Sequence, residues 1–370
     1  MITIEKILLK DKLLNEEKIL YLASLIKNVY PEFNSKDFID YIFFNLKNLE
    51  LKERIYIIRD ALYKFLPKNY SSAITILESS LPQFYTETGD FIFAPFSEYV
   101  AFYGCNKTYL NLSLSSLEKF TAFFSAEFAI REFINTFPEE TFNHIKKLTN
   151  SKNVHHRRLA SEGFRPRLPW GKSINFDYKK SAILLNYLYN DSDKYVIRSV
   201  ANHLNDISKF DSKFVFDILK KWKNENKDIS TNFQYLINHS LRTLIKKGDK
   251  ECFEFLGYNS NPKIEIKNFI IKNKNITLGD YLFFSFEILF ASKEEYIIDY
   301  KITYPNPKNK ISEKVFKLNK IKISNNNCLT INKSHLFKQM TTKKLYNGKY
   351  SITIQVNGVC IFTDYFFINF

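Results

Sequence analysis

The chain has 370 residues, 45% of them hydrophobic and 25% charged, which is the range of ordinary globular proteins and excludes both extended disorder and a fibrous fold. Lys and Arg outnumber Asp and Glu by 54 to 39, and the net charge of +15 points to a polyanion or an anionic surface as partner. The length predicts two or three domains at about 150 residues each, while four scattered cysteines (Cys105, Cys252, Cys328, Cys360) with no CxxC spacing exclude a cysteine-based zinc site and fit a reducing cytosol.

Up to about Tyr258 apolar residues recur at every third and fourth position, as in Leu51–Phe65 and Ser116–Phe137, which predicts helices. Glycine and proline are scarce, at 9 and 10, and this too favours helix over a tight-turned β protein for most of the chain. A weak repeat runs through this part. Val154–Ala160 lies on Tyr195–Ala201 with Arg157 over Arg198 and Ala160 over Ala201, both 41 residues on, and Tyr235–Ser240 adds a fainter copy 39 residues further. A spacing near 40 with a small residue where two helices press together predicts HEAT-like helical pairs stacked into a solenoid. No run reaches the roughly 18 apolar residues of a membrane span, and Met1–Lys6 has no secretory pattern, so a cytoplasmic location is expected.

The segment Ser125-Ala-Glu-Phe-Ala-Ile-Arg131 places Glu127 and Arg131 four apart, a spacing that predicts an ion pair on one helix face. Lys146–Lys172 then holds eight Lys/Arg and a single acid, Glu162. Only nine arginines occur in the chain, and four of them (Arg157, Arg158, Arg165, Arg167) fall within these residues, where a guanidinium fork suits phosphate. Two readings of Glu162 stand: a surface ion pair with Arg158, four residues earlier, or a carboxylate kept on a basic face to meet a developing positive charge. Pro166 and Pro169 stiffen the loop that follows and restrict Trp170, which either plugs the core or is presented among arginines to stack on a base or sugar. In Tyr195–Lys209, Val196, Val200, Leu204 and Ile207 form an apolar stripe, so Arg198, Asn202 and Asp206 are expected on an outward face. His239, Arg242 and Lys246 follow helical spacing and extend a candidate phosphate track.

After Tyr258 the period changes. Lys263–Ile271, Tyr281–Phe290, Tyr296–Tyr304, Ser312–Ile323, Tyr350–Val356 and Val359–Ile368 are rich in Ile, Phe, Tyr, Val and Thr and partly alternate, and Asn357-Gly358 between two apolar runs is a hairpin signal. These 113 residues fit a β-sandwich of about seven strands with net charge +9. The fold class expected is therefore mainly α with a C-terminal all-β domain: residues 1–257 a HEAT-like helical repeat domain, residues 258–370 an immunoglobulin-like sandwich. There is no P-loop, GxGxxG, GxSxG or HExxH, which removes nucleotide hydrolysis, dinucleotide chemistry, α/β-hydrolase chemistry and a zincin site. No metal and no cofactor is expected.

The strings HHRRLASEGFRPRLPWG, SVANHLNDISK and HSLRTLIKKGD resemble the DNA alkylation repair glycosylases built of HEAT-like repeats, specifically the AlkC group. The runs IIDYKITY, SEKVFKL and KKLYNGKYSITIQVNG look like the immunoglobulin-like domain of one AlkC subgroup, so the resemblance covers roughly residues 70–370. It implies a monofunctional glycosylase that excises cationic N3-alkylated bases, chiefly 3-methyladenine with 3-methylcytosine beside it, from duplex DNA without flipping the base. By the family pattern Glu162 and Asp206 sit against the sugar and position water, Glu127 assists, and Trp170 packs on the deoxyribose. Phe128, Arg157, Arg158, Arg165, Arg167, Lys172 and Arg242 contact DNA, and the protein acts as a monomer. The rival from another class is a non-catalytic DNA-binding helical scaffold; within the enzyme class it is a specificity like that of the AlkD group, which the C-terminal sandwich disfavours.

Overall fold

The computed structural model describes residues 8–46, 48–86, 89–226, 230–306, 312–324, 327–339 and 344–369. It divides into two compact units at Ser240 and Leu241. The first is helical, with a 3₁₀ turn at Phe91–Phe93. Many of its helices begin at an Asn or Asp whose side chain accepts a backbone N–H of the first turn, as Asn153 does from His155, Asp177 from Lys179, Asp193 from Tyr195 and Asp211 from Phe214.

The sequence repeat is a stacking repeat. Helix Val154–Glu162 packs on helix Lys194–Ile207, which packs in turn on helix Thr231–Ser240. Ala160, Ala201 and Ser240, the aligned small residues, are all fully buried, because a larger side chain there would hold neighbouring helices apart. The stripe Val196, Val200, Leu204 and Ile207 is likewise fully buried, and each such side chain contributes about 1.5–3 kcal/mol by leaving water. Hydrogen bonds between successive repeats keep the same period: Ser199 to Glu162 spans 37 residues, Lys180 to Glu139 spans 41, and the His203 ring to the Ser161 carbonyl spans 42. No described helix is long and apolar enough to cross a membrane.

Among the described residues the second unit carries two short helices, Arg242–Lys247 and Lys250–Phe255, and eight strands: β1 Ile264–Ile271, β2 Asn275–Thr277, β3 Tyr281–Phe290, β4 Glu295–Tyr304, β5 Ser312–Lys322, β6 Cys328–Leu336, β7 Gly348–Val356 and β8 Val359–Asn369. One sheet has the order β1-β3-β6, the other β2-β8-β7-β4-β5. All described pairings are antiparallel except β2 with β8. Alternate residues of β3 (Leu282, Phe284, Phe286, Ile288) and of β4 (Tyr296, Ile298, Tyr300, Ile302) point into one core with Ile352, Ile354 and Phe366. β5, an edge strand, carries Lys314, Lys317, Lys320 and Lys322, charges that discourage pairing with another chain.

The expected Asn357-Gly358 hairpin joins β7 to β8. Both residues have positive φ, 48° and 80°, the combination a two-residue type I′ turn requires. The turn also touches Gly248, the left-handed cap of helix Arg242–Lys247: a Cβ on Gly358 would fall 2.5 Å from the Gly248 Cα. This contact explains why the two short helices belong with the sandwich. Gly358→Ala is expected to destabilise the second unit by about 1–3 kcal/mol through forced backbone movement, measured as a lowered urea midpoint.

Candidate functional site

The site is built from three pieces of the first unit. Helix Val154–Glu162 brings Arg157, Arg158 and Glu162; helix Lys194–Ile207 brings Asp206; the segment leading into helix Ile130–Thr136 brings Glu127, Phe128 and Arg131. Glu127, Arg158, Glu162 and Asp206, with Arg165 from the loop after Glu162 and Lys209 just beyond helix Lys194–Ile207, form a chain of alternating sign. Glu127 binds Arg158 at 2.7 Å, Arg158 reaches Glu162 at 3.7 Å, Glu162 binds Arg165 at 2.5 Å, Arg165 binds Asp206 at 2.9 Å, and Asp206 binds Lys209 at 2.8 Å. Glu162 also accepts from the Ser199 hydroxyl at 2.6 Å, and Glu127 from Ser125 at 3.0 Å. Burial works against the charges of Arg158 and Arg165, but Glu162 with Glu127 on one and with Asp206 on the other outweighs it, and both guanidinium groups are held above their ordinary range.

Two sequence expectations are corrected here. Asp206 does not look outward beside Arg198: it is 1% exposed and faces Arg165, because its helix is packed by neighbours on both sides. Glu127 does not pair with Arg131 on a solvated face, for Glu127 turns to Arg158 and Arg131 is fully buried. The Arg131 guanidinium donates to the carbonyls of Gly163 and Arg165, each at 2.9 Å, and to that of Lys172. It thus clamps both ends of the tryptophan loop. Burial first, and then Arg165, lower its pKa to about 10, which leaves it charged at neutral pH.

The loop so held carries Trp170, which is 73% exposed and presented, with the core place taken instead by Phe164 and Leu168. Its φ of 63° is a left-handed conformation that a bulky residue adopts only under constraint. Lys52 donates to its carbonyl at 3.1 Å, so the strained residue is held from a second helix, Leu51–Phe65. Trp170 stands at a pocket of about 380 Å³ whose wall includes Phe91, Phe124, Phe128, Glu127, Glu162 and Arg165.

Five of the residues singled out in the sequence therefore meet at one pocket: Glu127, Phe128, Glu162, Arg165 and Trp170. Asp206 lies behind Arg165. Arg157 stands apart, gripping Asp191 through two nitrogens at 2.6 and 3.1 Å and the carbonyls of Ser151 and Lys152 with a third. The guanidinium groups of Arg157, Arg158 and Arg165 hold protein acceptors. Arg167 is exposed, and Lys172, also exposed, pairs with Glu132 at 2.5 Å. Arg242 opens the first helix of the second unit. Sequence reasoning missed Lys52, Phe91 and Glu98, which reach the pocket from helices outside the basic segment, and Phe124, which reaches it from the bend after helix Leu110–Phe120. Among the described residues no group of three or more His, Cys, Asp or Glu is placed to hold a metal ion.

The chain is similar to known proteins over most of its length. Residues 265–369 match the family described as the C-terminal Ig-like domain of the uncharacterised protein YhaZ. The chain is 35% identical over 348 residues to Uncharacterized protein YhaZ of Bacillus subtilis (strain 168), covering 93% of this chain and 95% of that one. It superposes on the structure of Pseudomonas fluorescens alkylpurine DNA glycosylase AlkC bound to DNA containing an abasic site analog, with a TM-score of 0.89 and 30% identity over 98% of this chain and 99% of that one.

Arg131→Met removes three donors from the loop carbonyls, and the first unit is expected to lose about 3 kcal/mol. Amide hydrogen exchange over residues 164–172 should accelerate in this variant while the sandwich is unchanged.

Proposed function

The chain belongs to the AlkC family of DNA glycosylases, in the branch with a C-terminal immunoglobulin-like domain, and on that premise we propose that it excises alkylated bases from duplex DNA. The substrates are cationic N3-alkylated bases, 3-methyladenine first and 3-methylcytosine beside it, removed without base flipping. The observation that carries this reading is Trp170, exposed and strained at the mouth of a pocket whose wall holds two anchored carboxylates.

A base that is already positively charged takes the C1′–N electron pair as it leaves and needs no general acid. The deoxyribose becomes oxocarbenium-like. Two unit charges about 4 Å apart at an effective dielectric near 20 attract by about 4 kcal/mol, close to a thousandfold in rate. Glu162 and Glu127 face the pocket and supply this field, and their arginine and serine partners fix them before the charge develops. Asp206 acts from behind by fixing Arg165, which orients Glu162. Trp170 packs on the sugar and Phe128 on the neighbouring nucleotide.

Arg167 and Lys172, the exposed cations of the loop, grip phosphate, and Arg242 of the second unit is a separate phosphate contact, while Arg157, Arg158 and Arg165 act one layer below as anchors for acids. Log affinity for duplex DNA should fall linearly with log salt, and Arg167→Ala or Lys172→Ala should each make that slope shallower by about one.

The deciding experiment incubates the protein with methylated duplex DNA and identifies the freed base by chromatography. Release of 3-methyladenine is expected. Glu162→Gln and Asp206→Asn should keep DNA binding and lose excision by about a hundredfold or more. Tight binding with no base released by the wild type would instead establish the non-catalytic scaffold.

A further inference from the structure

The pocket has a third carboxylate that differs from the other two. Glu98 lies on helix Ala94–Tyr103, half-buried, with the fully buried Phe96 and Val100 on the same helix, and it lines the pocket together with Glu127, Glu162 and Trp170. Glu127 is bonded to Arg158 and Ser125, and Glu162 to Arg165 and Ser199. Glu98 makes no hydrogen bond or ion pair with any described residue. Charges reach it only across space: Lys52 and Arg59 of helix Leu51–Phe65 and Lys172 of the tryptophan loop are attractive, and Glu132 of helix Ile130–Thr136 is repulsive.

That contrast is a division of labour. A carboxylate tied to a guanidinium and a hydroxyl is a fixed negative charge and a poor base, since its lone pairs are occupied and a proton on it would break the ion pair. A carboxylate in a mostly apolar wall with no partner keeps its lone pairs for what enters the pocket. We infer that Glu98 is the catalytic base that takes a proton from the attacking water, a role that rests on the glycosylase reading above and leaves charge stabilisation to Glu127 and Glu162.

The step balances as a hydrolysis. The C1′–N pair departs with the base, the water oxygen forms the new bond to C1′, and one water proton passes to the Glu98 carboxylate, leaving the deoxyribose with a free hydroxyl. Burial raises the Glu98 pKa, against the pull of Lys52, Arg59 and Lys172 and with the help of Glu132. The active form is the carboxylate, present above the raised pKa and lost as pH falls through it, so the acid limb of excision lies at higher pH than an ordinary glutamate would give.

The test is single-turnover release of 3-methyladenine from methylated duplex DNA between pH 4.5 and 8, with wild type, Glu98→Gln and Glu98→Ala. Both variants should bind DNA as the wild type does and slow by about a hundredfold. Their acid limb should vanish, and added azide, an anion that attacks C1′ with no proton to lose, should restore bond cleavage in Glu98→Ala and leave a glycosyl azide. An unchanged rate overturns the assignment. So does a slowed rate that keeps the wild-type acid limb and ignores azide, which is the behaviour of a structural residue; if one variant fails to fold, the other carries the same readouts. Should the wild type release no base at any pH, the glycosylase reading itself fails, an outcome separate from these.

Discussion

The site depends on one line of alternating charge, from Glu127 through Arg158, Glu162 and Arg165 to Asp206 and Lys209, buried at Glu162, Arg165 and Asp206 and partly buried elsewhere. Placing carboxylates and guanidinium groups inside a protein costs several kcal/mol per ion unless each finds a partner at bonding distance. Every member of this line has such a partner, and interior members have two. The consequence is geometric as well as energetic. Because Arg165 must satisfy Glu162 and Asp206 together, it fixes the distance between two successive repeats, and because Arg158 must satisfy Glu127, it draws in the segment before helix Ile130–Thr136. The acids are then oriented before any ligand arrives, which is the condition for charge to act on a transition state at no reorganisation cost.

This is also why the line was hard to see in the sequence. Its partners sit 41 residues apart (Arg165 with Asp206) or 31 apart (Arg158 with Glu127), and local spacing suggested other pairs: Arg158 with Glu162, Glu127 with Arg131, Arg198 with Asp206. The first of these exists but is the loosest link, at 3.7 Å. An i,i+4 rule describes a solitary helix in water, whereas stacked repeats let a side chain choose the next repeat instead. Arg131 is the clearest case, a charged residue whose role is to hold three carbonyls of a distant loop.

Other features were legible because they are local or periodic. The change of period near Tyr258, the Asn357-Gly358 turn, the buried stripe of helix Lys194–Ile207 and the small residues at the repeat spacing all follow from chain geometry. Pro166 and Pro169, both ahead of Trp170, left a core plug and a presented side chain as alternatives, and the exposed ring is the second. β2 and β6 escaped detection for opposite reasons: β2 has three residues, too few to alternate, and β6, CLTINKSHL, has one buried position, so its pattern is polar. Glu98 gave no signal, since an acid among Pro95, Phe96, Tyr99 and Val100 reads as an interruption of an apolar helix until the facing wall is known.

The repeat has a kinetic side too. In the first unit the bonds that join successive repeats close loops of 37 to 42 residues, each needing only the repeat before it. The sandwich is different: β4 pairs with β7 across 58 residues at Ile298 and Val356, and β2 with β8 across 92 at Asn275 and Phe367. Loop closure slows as the separation grows, so contacts between successive repeats form ahead of these strand pairings, while the Lys52–Trp170 bond at the pocket, across 118 residues, belongs with the slow ones. During synthesis every side chain of the pocket, from Leu51 to Trp170, leaves the ribosome ahead of the first strand. The residues of the pocket wall are therefore all made while β8, which closes the larger sheet, has yet to be synthesised.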